Sequence, residues 1–150
     1  MTGLRSLPLD ELVATLVSEH AKMKEELSLA RTRILAEDFA GAKHALTDVV
    51  GTFRQHIADE EGQILRLLIE VYGKEGAQQA ITIFRQHRPI YALMQAVEEL
   101  SQLAAEELAE RQAELMELLG SHAFSEERTI FPRALSARKT GPGGSRTQQV

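Results

Sequence analysis

Between residues 9 and 135 the apolar residues recur at three- and four-residue spacing, the period of an amphipathic helix. The first run is Leu9, Leu12, Val13, Leu16 and Val17, entered after Pro8 with Asp10 placed to act as N-cap. A second runs from about Asp38 to about Tyr72 through Leu46, Val49, Val50, Phe53, Ile57, Ile64 and Leu68. Gly73-Lys74-Glu75-Gly76 stops it, with glycine available for a left-handed C-cap. A third extends from Ala77 through Ile83, Ile90 and Val97 to about Leu103, and a fourth from about Ala104 to Phe131. Pro132 marks the end of the fourth or a late kink, and the turn between third and fourth falls near Ser101 to Ala105. No segment alternates as a strand would. Four helices joined by short connections predict an all-α, up-down-up-down antiparallel bundle. Gly51 and Gly62 interrupt the second helix and Pro89 the third, where a kink is expected.

Composition narrows the picture. One domain suits 150 residues, and 43% hydrophobic content suffices for a core. The absence of cysteine excludes disulfides, thiolate metal sites and iron–sulfur clusters, so any bound metal must use His, carboxylate, phenolate or water. The N-terminus lacks the apolar core of a signal peptide and no apolar run has membrane-spanning length, which predicts a cytoplasmic protein without a membrane partner. The net charge is −5, yet residues 133–150 carry four positive charges and no acid, leaving −9 on residues 1–132. So acidic a body argues against nucleic acid, whose binding depends on phosphate neutralisation. The last residues are rich in Gly, Pro and Ser and predict a flexible basic tail over 136–150, after a bundle domain over 1–135.

Histidine placement carries the chemistry. The chain repeats itself at an offset of 66: His56-Ile57-Ala58-Asp59-Glu60-Glu61 is matched by His122-Ala123-Phe124-Ser125-Glu126-Glu127. His20 and His87 are related by an offset of 67. Each half is thus a helical hairpin with one plain His and one HxxxEE. Residues four apart share a helix face, so His56 with Glu60, and His122 with Glu126, form chelating pairs suited to a first-row metal. The counts of residues to each turn bring His20 level with His56, and His87 level with His122. The middle hairpin is uneven, about 16 residues out and 10 back, a shortfall of about 9 Å at 1.5 Å per residue. His44 lies about 18 Å along the helix from His56 and is expected at the surface. Phe53 and Phe84, one turn before His56 and His87, are expected to wall the site, with Arg54 and Arg85 solvated or paired with surface acids.

One His on each of four helices, with HxxxE on the second and fourth, resembles the hemerythrin-like (HHE cation-binding) domain from about residue 10 to 135. The resemblance implies two iron ions inside the bundle, with His20, His56, His87 and His122 as terminal ligands and Glu60 and Glu126 as bridges. Glu61 and Glu127 are then expected behind the ligands or at the surface. Oxygen-carrying hemerythrins have HxxxH on the third helix, where this chain has His87-Arg88-Pro89-Ile90-Tyr91. Tyr91 in that position is either a phenolate ligand or a core tyrosine whose hydroxyl bonds a carboxylate. The function the resemblance implies is that of a non-haem di-iron protein that binds or reduces O₂, NO or H₂O₂ for sensing, storage or detoxification. Whether it is an oxidoreductase acting on peroxide or NO stays open. Alternatives are iron–sulfur repair under nitrosative stress, whose representatives usually carry a cysteine-bearing N-terminal segment, and a metal-free helical interaction module.

Overall fold

The computed structural model describes residues 3–100 and 104–140, and side chains as far as Ala137. Among these residues every regular element is helical. The first rod is α1 (Leu9–Leu35). The second is α2 (Phe39–Asp59), a π-helical segment (Glu60–Leu65) and α3 (Arg66–Tyr72). The third is α4 (Lys74–Glu99). The fourth is α5 (Ala105–Ser125), a second π segment (Glu126–Ile130) and α6 (Phe131–Thr140). The four rods form the antiparallel up-down-up-down bundle that the periodicity predicts.

Several boundaries differ from the sequence reading, each for a local reason. α1 begins one residue before Asp10, with Pro8 at the N-cap, so Asp10 lies in the acidic first turn instead. Asp38 does cap α2, its carboxylate accepting from the Gly41 N–H at 3.0 Å. α4 starts at Lys74 rather than Ala77, so the second and third rods are joined by Gly73 alone, at φ +58°. The earlier start returns three residues to the third rod and removes about half of the expected 9 Å shortfall. α4 stops at Glu99, short of Leu103, and Leu100 is extended. The Ser101–Leu103 part of the predicted turn lies outside the described residues. Pro89 does not end α4, and Pro132, directly after the second π segment, does not end the fourth rod. The last rod therefore continues past Phe131 to Thr140, with Ala134 and Ala137 buried. The first five residues of the tail predicted over 136–150 are thus helical, and residues 141–150 lie outside the described residues.

The core comes in two parts. On one side Met23, Leu27, Leu46, Val49, Phe53, Ile90, Val97, Leu115 and Leu119 pack together; on the other, Leu12, Leu16, Ile64, Leu68, Ile83, Ile130 and Phe131. Between them each rod contributes one histidine at a position of its apolar stripe. In α1 the buried series reads Leu12, Leu16, His20, Met23, Leu27, and in α4 it reads Ala80, Ile83, His87, Ile90, Met94. The bundle is a polar layer held between two apolar plugs.

The tight crossing at Gly73 depends on Gly76. A Cβ on Gly76 would lie 1.9 Å from the Leu68 carbonyl oxygen, whereas one on Gly51 would meet nothing within 4 Å. Gly76→Ala should therefore destabilise by roughly 1–3 kcal/mol through overpacking. Gly51→Ala, in mid-helix, should stabilise by roughly 0.5–1 kcal/mol by removing glycine's excess unfolded freedom. Chemical denaturation of the two variants beside the parent checks the opposite signs.

Candidate metal centre

The polar layer contains His20, His56, Glu60, His87, His122 and Glu126, all buried. Two sets of donors can each converge on a cation. His20, His56, Glu60 and Glu126 form one, and Glu60, His87, His122 and Glu126 the other, with donor atoms within 4.8 Å of one another in each. Ligands on opposite sides of a cation at about 2.1 Å would lie roughly 4.2 Å apart, so each set needs only a small contraction. Both sets contain both glutamates. Two neighbouring cation positions sharing two carboxylates is what such a donor arrangement offers.

The orientation of the imidazoles is uniform. Each Nδ1 faces outward to an acceptor: Glu127 for His20 at 2.8 Å, Glu19 for His56 at 3.1 Å, Glu61 for His87 at 2.8 Å and Gln86 for His122 at 2.7 Å. Donation from Nδ1 leaves Nε2 directed inward, the tautomer that presents a lone pair to a metal. Inside, the Nε2 atoms of His20 and His122 lie 3.1 and 3.0 Å from Glu126 Oε1, and those of His87 and His56 lie 2.7 and 3.2 Å from Glu60. For His56 and His122 these are charge contacts without hydrogen-bond geometry. His56 Nε2, His122 Nε2, Glu60 Oε2 and Glu126 Oε2 are buried atoms with no hydrogen-bond partner. Buried polar atoms are rarely left so. Four of them on one centre, all potential ligands, fit a cation between them.

The π segments begin at Glu60 and at Glu126. A wider turn there re-aims the paired acids, and such turns are frequent at functional sites. Glu60 and Glu61 both reach His87, one at each ring nitrogen, and Glu126 and Glu127 reach His20 in the same way. Aromatic rings complete the walls. Phe53 stacks on His56 with its plane tilted by 14° and meets His87 edge-on, while Phe131 stacks on His20.

Of the seven residues singled out in the sequence, Tyr91 alone stands apart. It is 43% exposed and lies edge-on to Phe53 with ring centroids 5.9 Å apart. Partial burial, with Glu61 nearby, raises its pKa and keeps the phenol protonated. The i+4 spacing from His87 gives the right face, but the residue sits at that face's edge. Phe84 also turns outward, 39% exposed, so only Phe53 of the matched pair walls the site. Arg54 pairs with Glu98 at 2.8 Å on the surface. His44 is exposed; Asp48 follows it at i+4, 3.8 Å away and also solvated, which shows that spacing without burial makes no site.

Sequence reasoning overlooked Glu19, Gln86 and the segment before α1. Glu19 and Gln86 directly precede His20 and His87, so the offset of 67 marks them too. Arg5 holds Glu19 with Nη1 and Nη2 at 2.9 and 3.0 Å, and its N–H and Nε donate to buried Asp59 at 2.7 and 2.5 Å. Burial opposes ionisation of Glu19, but His56 and Arg5 hold its carboxyl below the usual range.

A helical bundle with an internal His/Glu cation-type cluster is the class that fold and geometry define. The chain belongs to the hemerythrin HHE cation-binding domain family, whose model matches residues 11–139. No curated protein and no solved structure matches it. No helix among the described residues is long and apolar enough to cross a membrane.

Without a cation the histidines must neutralise the glutamates. Burial works against protonation, yet Glu126 and Glu60 push His122 up to about 9, and Glu126, Glu19 and Glu60 raise His56 well above its ordinary value. Burial likewise opposes ionisation of Glu60, but Glu126 and then His122, His56 and His87 hold its carboxyl well below the usual range. A raised histidine stabilises fully below its unfolded pKa of about 6.5, and that stability is lost as pH rises through the folded value. The metal-free protein should therefore melt progressively lower between about pH 6.5 and pH 9. Calorimetry across that window, on protein stripped with chelator, checks the direction.

Proposed function

We propose that this chain is a non-haem di-iron protein that binds or reduces a small molecule, O₂, NO or H₂O₂, for sensing, storage or detoxification. The observation that carries this reading is the uniform set of four imidazoles, each with Nδ1 bonded outward and Nε2 turned to two shared carboxylates. His20 and His56 would hold one iron, His87 and His122 the other, and Glu60 and Glu126 would bridge them. A mixed imidazole and carboxylate set suits iron, whereas calcium and magnesium prefer oxygen alone. When bound, such a pair supplies two one-electron redox centres with room for an exogenous ligand.

The chain's own groups set what can occur there. Two apolar plugs exclude water from either end of the layer, which strengthens every charge interaction inside it. The outer acceptors fix ring orientation and raise ligand basicity. A bulky substrate has no access to a cluster buried to this degree, which favours diatomics and peroxide. Against a metal-free interaction module stand the four unpartnered buried atoms, which such a module would have no reason to keep.

Reconstitution with ferrous iron should give about two irons per chain by metal analysis. A preparation that keeps one iron or none would defeat the di-iron reading. Replacing His56 or His122 by Ala should lower iron content and melting temperature together, whereas His44→Ala should change neither. Tyr91→Phe should retain the iron and leave the visible spectrum of the oxidised protein unchanged, because the phenol lies outside the donor set. A charge-transfer band lost in Tyr91→Phe would restore the tyrosine to the ligands.

A further inference from the structure

The two halves of the centre differ in how they are closed. The offsets of 66 and 67 pair Glu19 with Gln86, Gln55 with Ser121, His56 with His122 and Asp59 with Ser125. In the first half, the segment before α1 lies across these residues. Arg5 bridges Glu19 and Asp59, the Gln55 side-chain N–H donates to the Gly3 carbonyl at 2.8 Å, and Gln63 donates to the Arg5 carbonyl at 3.0 Å. Leu4 fills the space beside Gly62, where a Cβ would meet its side chain at 2.8 Å. His56 is sealed beneath this strap.

In the second half the corresponding position is a cleft. It has a volume of about 380 Å³ and is lined by Thr82, Arg85, Gln86, Pro89, Ser121 and His122. The residues that anchor the strap in the first half are replaced here by groups that could not hold it. Ser125 has no carboxylate for an arginine, Gln86 has no charge, and Ser121 is too short to reach a passing carbonyl. Pro89, on the cleft wall, brings no N–H to the helix. Arg85 adds a cation at its rim. Gln86 is half-buried, and its uncharged amide oxygen accepts from His122 Nδ1 at 2.7 Å.

We propose that this cleft is the entrance by which a small neutral or anionic ligand reaches the position held by His87 and His122, with Gln86 as a displaceable stopper. On the opposite side the strap lies over the residues around His56, which is fully buried. The inference rests on the cation reading of the centre and adds to it which of the two positions takes the exogenous ligand. One hydrogen bond to an uncharged amide is broken more readily than the four bonds by which Arg5 holds the carboxylates of Glu19 and Asp59, which is why the two sides differ in access.

Two arms test it. In the first, diferric protein is mixed with azide and the rate of the absorbance change is followed in parent, Ser121→Phe and Thr82→Leu, both of which fill the cleft, and Arg5→Ala, which loosens the strap. Either filled variant should slow azide at least tenfold at unchanged iron content; acceleration by Arg5→Ala with no slowing in the filled variants would overturn the proposal. The second arm needs no metal. Metal-free protein is treated with diethylpyrocarbonate and the modified histidines are located by peptide mass. His122 should be acylated at least tenfold faster than His56, and Ser121→Phe should remove the difference. Equal rates in the parent, or a faster His56, would overturn the proposal even if iron binding holds. A chain that binds no iron but still shows the His122 preference would instead separate the fate of the cation reading from that of the cleft.

Discussion

Six ionisable side chains lie in one layer between two apolar plugs, and the balance of their charge has to be found within that layer. Water cannot supply it, because Phe53, Phe131, Ile64, Ile83 and their neighbours close both sides. Protons on the histidines are one solution, and the raised imidazole pKa values of His56, His87 and His122 show the glutamates drawing them in. Cations are the other, and they use the same Nε2 and carboxylate atoms. Metal and proton therefore compete for one set of lone pairs, and uptake of a cation must release protons.

The second feature of the layer is its pseudo-twofold arrangement, and the departures from that symmetry are as informative as the symmetry. Both HxxxEE segments place one acid on an Nε2 and the next on an Nδ1 of a histidine from the other hairpin. Glu19 and Gln86 then break the equivalence: one imidazole is backed by a carboxylate fixed by Arg5, the other by an amide. An imidazole hydrogen-bonded to a carboxylate is a stronger electron donor than one bonded to an amide, so the two positions differ in electrostatics as well as in access.

Much of the bundle was legible in the sequence because helical period and turn residues are local signals. The six clustered residues were legible because His20 and His87 occupy core-stripe positions and the HxxxEE motif is repeated. The rest was hidden for physical reasons. The π segments leave no mark on the pattern, since Ile57, Glu60, Ile64 and Leu68 are buried at spacings an α-helix would also give. Tyr91 has the correct spacing from His87, but spacing fixes a face and not a depth. Arg5 belongs to no periodic segment, and its partners are 14 and 54 residues away, beyond any local reading. Gly73-Lys74-Glu75-Gly76 looked like a four-residue stop because glycine breaks helices on average. Gly76 is instead a contact residue that allows α3 and α4 to approach.

The crossed contacts bear on how the molecule comes apart. Within a hairpin the HxxxEE acids find only charge contacts, His56 with Glu60 and His122 with Glu126; their hydrogen bonds cross over, Glu60 and Glu61 to His87 in the second hairpin, and Glu126 and Glu127 to His20 in the first. Separating the hairpins would strand buried charge in both at once, while Gly73 alone links them. Partial opening at this seam is thus disfavoured relative to complete unfolding, and the two hairpins behave as a single cooperative unit rather than as two foldons. A bundle of this size could have frayed in halves; its polar layer makes it all-or-none.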